Sequence, residues 1–213
     1  MKLVFKGIYK SDEQLPYGEL PDNAIKFKEA DSLDELNRKA VIITIPLIAL
    51  VGMAIFISIL IHGTSPFGTS LSDGIVDMMV NGIRNMGIAA IIFFATMIPH
   101  ELLHAIAFGK GHVVEMFIAP KQMAMFVTSP KPMTKKRFIF LSLLPNIVLA
   151  WIPLIVWVAL PLGGTLSIIW IWYCLFAMTS GAGDYMNVYN TIRQMPKGSM
   201  HQIHGFNSYW FMP

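Results

Sequence analysis

Charge is scarce in this chain. Only 14% of its 213 residues are Asp, Glu, Lys or Arg, against about 25% in a soluble domain. Cysteine is scarcer still, with Cys174 alone. A single thiol excludes an internal disulfide framework, and without a CxxC pair there is no cysteine-based metal site. There is no internal repeat and no low-complexity tract. No aromatic-basic module is visible, so the net charge of +3 does not point to a nucleic-acid partner. No short apolar run with a small-residue cleavage site lies near the start. The first span is therefore expected to stay in the mature protein.

What fills the space is apolar. Hydrophobic residues make up 54% of the chain, with 15 Met and 14 Phe. That balance places the chain among integral membrane proteins. A helix needs roughly 20 apolar residues to cross a bilayer. Four stretches qualify: Ala40 to Ile61, Met86 to Phe108, Phe138 to Leu160 and Thr165 to Val188. Pro99, Pro145 and Pro153 interrupt the second and third. Membrane helices tolerate such breaks where neighbours satisfy the freed backbone groups.

Lysine and arginine alternate between the loops. Residues 1–39 and 109–137 are rich in them, the loop after the first span holds only Arg84, and Leu162-Gly163-Gly164 holds none. The positive-inside rule then puts both termini and the 109–137 loop in the cytoplasm. Within that loop, His112 to Ala119 and Gln122 to Ser129 are β-favouring runs around Pro120 and Lys121, the pattern of a hairpin. The expected fold is an all-α integral membrane protein. It has four transmembrane helices and a short cytoplasmic β-hairpin between helices two and three. Residues 1–39 form a cytosolic segment, 40–190 the membrane domain and 191–213 a cytosolic tail.

His100-Glu101-Leu102-Leu103-His104 lies inside the second span. Residues i and i+4 of a helix share a face about 6 Å apart. Both imidazoles can thus reach one zinc ion, and Glu101 can act as general base toward the attacking water. Ionisable groups within a span are costly and mark function by default. The competing reading is a hydrogen-bonded polar cluster that glues helices.

A catalytic zinc needs a third protein ligand. Besides Glu101, the only carboxylate within the spans is Asp184. Counting along helices puts His100, His104 and Asp184 at ~9–15 Å from the cytoplasmic ends, so Asp184 is the candidate ligand. Its alternative is a helix cap or a pair with Arg193. Asn146, at similar depth, could hydrogen-bond a substrate carbonyl or the oxyanion that forms from it. An interhelical hydrogen bond is its alternative. His201 and His204 are expected in an exposed tail. His112 is read as a loop residue, and His62 lies at the outer edge of the first span.

HExxH in one span, Leu144-Pro145-Asn146 in a later one and Gly183-Asp184 in the last resemble the site-2 protease class of intramembrane metalloproteases. The layout is closer to a small bacterial family of membrane zincins of unknown function. The resemblance covers roughly residues 85–190. It implies zinc held by two His and an Asp, Glu as base, and cleavage of transmembrane or membrane-associated substrates near the cytoplasmic face. It also implies strands beside the site that pair with an unwound substrate, a role open to the 112–129 hairpin. The chain departs from the site-2 pattern in having Tyr185 after Asp184, Pro145 before Asn146, and no PDZ-like insert. Two other classes use the same residues: a non-catalytic metal-binding membrane protein, either a regulator or a transport-complex subunit, and a small cation transporter.

Overall fold

The computed structural model describes residues 1–30, 33–63 and 75–213. It divides into two compact units. The first comprises residues 1–41, 98–145 and 183–213, and the second comprises 42–97 and 146–182. The helices are α1 (Leu33–His62), α2 (Ile75–Phe108), α3 (Lys135–Asn146), α4 (Ile152–Ala159), α5 (Gly164–Ser180) and α6 (Ala182–Gln194). The strands are β1 (Lys2–Ile8), β2 (Ile25–Lys26), β3 (Val113–Ala119), β4 (Ala124–Thr128), β5 (Met133–Thr134), β6 (Met200–His204) and β7 (Asn207–Phe211).

Among the described residues, three helical stretches are long and apolar enough to cross a membrane: Arg38–His62, Met79–Phe108 and Lys135–Ala159. A fourth exists if α5 and α6, bent by 42°, count as one. α2 starts at Ile75 rather than Met86. Asp77, Asn81, Gly82 and Arg84 hide its first turns from a reading based on apolar runs. The third stretch joins α3 to α4 through a π-helical turn, Ile147–Trp151, just after Pro145. The helical path continues through Pro145 and the π-helical turn into α4 without ending. The α5–α6 bend falls at Gly181, where a Cβ would collide with the Asn146 side chain. Apolar side chains face outward along the helices, among them Ile42 and Phe56 on α1 and Ile83 and Ile91 on α2. Exposed apolar side chains along helices of this length are ones that lipid could cover.

The expectation of an all-α chain is corrected by two small sheets, both in the first unit. One has the order β1-β3-β4, with β1 parallel and β4 antiparallel to β3. The β3–β4 pair is the anticipated hairpin, with Met116 opposite Val127. Its connection is a 3₁₀ turn, Pro120–Gln122, closed by Met123 at φ 50°. That turn chemistry explains the lack of an Asn-Gly signal. The other sheet, β2-β7-β6-β5, joins both chain ends to the residues just before α3. Its strands are short, and β2 and β5 have two residues each.

The core of the first unit packs Ala105, Ala107 and Phe108 of α2 against Val114 of β3, Met133 of β5 and Phe138 and Leu141 of α3. Cations at and just before the start of α3 donate to backbone carbonyls near other helix ends. Arg137 Nε donates to the Ala107 carbonyl at 2.6 Å, and Lys131 Nζ to that of Gly111 at 3.3 Å. Lys135 Nζ donates to the carbonyls of Ile192 and Met195 beside the end of α6. The last carbonyls of a helix lack intrahelical partners, and cations there also oppose the negative end of the dipole.

Candidate metal centre

α2 delivers the first three side chains. His100 and His104 are one turn apart, with ring centroids 4.8 Å apart and edge-to-face. Their Nε2 atoms lie 3.1 Å from each other. α6 supplies the fourth group, Asp184, from about eighty residues further along the chain. Asp184 Oδ2 is 3.3 Å from His100 Nε2, and Oδ1 is 3.3 Å from His104 Nε2. Glu101 and His104 are buried, each 7% exposed. The donor atoms of His100, Glu101 and His104 lie within 4.8 Å of one another. All four residues belong to the first unit.

Hydrogen bonds orient two of them. His104 Nδ1 is 2.9 Å from the carbonyl oxygen of Leu141 in α3. That oxygen only accepts, so Nδ1 carries the proton. In its neutral form the ring would then present a bare lone pair at Nε2. The backbone N–H of Val127, in β4, is directed at the Glu101 carboxylate. Neither group was visible in the sequence, because both act through the main chain and side-chain identity carries no signal.

Does this donor set suit zinc? Two tetrahedral ligands at ~2.0–2.1 Å from one ion lie about 3.3 Å apart. The observed separations of 3.1, 3.3 and 3.3 Å match that edge. A bare imidazole nitrogen, a second imidazole and a carboxylate converge here, and such acceptors repel one another unless a proton or cation sits between them. Two His and one Asp form a common zinc set that leaves a position open. His100, His104 and Asp184 could therefore hold the ion, with Glu101 beside it.

Asn146 belongs to the second unit, where it is buried against Gly181. Arg193 turns to Tyr189, with its guanidinium 5.4 Å from the ring centroid, rather than to Asp184. His112 bonds Ser129 Oγ at 3.2 Å. Burial holds its pKa below the usual value, helped by Lys131, Arg137 and the N-terminal ammonium. His62 Nε2 lies 3.0 Å from the Val158 carbonyl.

The exposed tail is a correction. His201 is fully buried in β6, stacked on Phe138 with centroids 3.5 Å apart. His204 Nδ1 donates to the Gly18 carbonyl at 2.7 Å. The aromatic residues Tyr209, Trp210 and Phe211 make the tail a strand, and β7 then pairs with β6 and covers it.

A fold with membrane-length helices and an HExxH cluster defines a zincin-like class. Residues 93–200, just over half of the chain, match the model of a family described as "putative zincin peptidase", and the chain belongs to that family. Neither the curated proteins nor the solved structures contain a match. The family implies a zinc cofactor.

Proposed function

We propose that this protein is a membrane-embedded zinc metalloprotease, with His100, His104 and Asp184 as the ligands and Glu101 as the general base. The observation that carries the proposal is the convergence of both His Nε2 atoms and both Asp184 oxygens at zinc-ligand spacing. When bound, zinc would polarise a peptide carbonyl and lower the pKa of water toward neutrality. Glu101 would accept a proton from the attacking water and return it to the leaving amine. Its burial keeps competing water away from that transfer.

The substrate is proposed to be a transmembrane or membrane-associated peptide. β4 is an edge strand of its sheet, and its Val127 amide faces Glu101. An extended peptide added along that edge would lie beside the base. The outward apolar faces and the loop charges support insertion with both termini and the hairpin in the cytoplasm.

Glu101→Gln separates this reading from a non-catalytic metal protein. Purified variant should retain zinc and lose peptide-bond cleavage by about 10²–10⁴-fold, the usual range for a missing general base. Undiminished cleavage in the variant would refute the catalytic role.

A further inference from the structure

The oxygen that fixes His104 belongs to Leu141, a residue inside α3. A carbonyl in that position normally accepts the N–H of the residue four places on. Here that residue is Pro145, which has no N–H and is fully buried within α3. Proline thus frees the Leu141 carbonyl, and the His104 Nδ1–H takes the vacant acceptor at 2.9 Å.

The same arrangement occurs a second time. Pro153 follows Leu149 by four residues, and the Leu149 carbonyl accepts the Tyr173 hydroxyl at 2.9 Å. That pair lies wholly in the second unit. Proline is tolerated within apolar helices where a neighbour re-satisfies the freed carbonyl. In both cases the neighbour is a polar side chain held in one orientation as a result.

We infer that Pro145 is a positioning residue for the metal centre: by withholding an N–H from the Leu141 carbonyl, it locks His104 as the Nδ1–H tautomer, with Nε2 bare toward the ion. The inference rests on the zinc reading above. A ring free to exchange tautomers would spend part of its time with a proton on Nε2, where it cannot bind metal. Pro145→Ala supplies the missing N–H and sets it in competition with His104.

The test is zinc affinity, measured by chelator competition on purified full-length protein in detergent, with circular dichroism as the check on folding. Three altered proteins are compared with wild type. They are Pro145→Ala, Pro153→Ala, and a protein with an ester at the Leu141–Ser142 linkage. The ester makes the Leu141 carbonyl a poorer acceptor without touching the proline. Loss of an outer-shell partner weakens metal binding by about 10–100-fold. Pro145→Ala and the ester should each show such a loss, and Pro153→Ala should stay within about twofold of wild type. Should Pro145→Ala fail to fold, the ester decides alone. Unchanged affinity in the ester overturns the inference, since the proline would then act through packing. Equal weakening in Pro153→Ala also overturns it, by showing a general loosening of the helix. A wild type that binds no zinc refutes the underlying metal reading instead.

Discussion

At the residue scale, His201 is fully buried, and neither ring nitrogen has a hydrogen-bond partner among the described residues. Phe138 stacks on it, and Phe27 meets it edge-on with centroids 5.6 Å apart. Burial pushes its pKa down to about 3. In the unfolded chain the ring takes a proton near pH 6.5. Between those values the unfolded state holds a proton that the folded state lacks, so acid favours unfolding. The stability contribution is full above about pH 6.5 and falls toward pH 3, by up to about 1.4 kcal/mol per pH unit. His201→Phe, which keeps the aromatic stack, should remove this slope. Thermal midpoints of both proteins between pH 4.5 and 7.5 check it. Parallel curves for the two proteins would contradict the assignment.

At the scale of elements, the decisive features are how helices end and break. α2 stops where Gly109 adopts φ +79° and the Arg137 guanidinium occupies the space that a Cβ would need. Arg137 can then reach the Ala107 carbonyl. Gly109→Ala faces both a left-handed backbone penalty of about 1–2 kcal/mol and a collision with Arg137. It should lower the melting temperature by several degrees, and an unchanged midpoint would show that the cap is dispensable. The helices and the HExxH turn were legible because long apolar runs and i, i+4 spacing are local signals. The α5–α6 bend was not, because it depends on Asn146 lying against Gly181, a contact between residues 35 apart. β1 and β2 were missed for the same reason, since each pairs with a strand remote in sequence: β1 with β3, and β2 with β7.

At the scale of the whole molecule, the loop charges carry two messages. Arg137 and Lys135 bind carbonyls at helix ends and Lys131 binds the turn carbonyl of Gly111, and they also count toward orientation. The proposed topology puts the β3–β4 turn in the cytoplasm. A single cysteine at Lys121, in a Cys174→Ala background, should react with an impermeant thiol reagent only after the inner face is exposed. Labelling of intact cells would reverse the orientation. Asp184 was legible as a candidate ligand only by elimination and depth, since nothing in Gly183-Asp184-Tyr185 names its partners. The chain's path supplies them by bringing α6 to the His100–His104 turn of α2.

That long-range meeting of α2 and α6 is the central claim, and zinc content tests it most directly. Elemental analysis of the purified full-length protein, alongside His104→Ala and Asp184→Ala, should find one zinc per wild-type chain. It should find none in His104→Ala and a strongly reduced amount in Asp184→Ala, because each would lose one of the three proposed ligands. Equal zinc in all three proteins would mean that the metal, if bound at all, is held somewhere else.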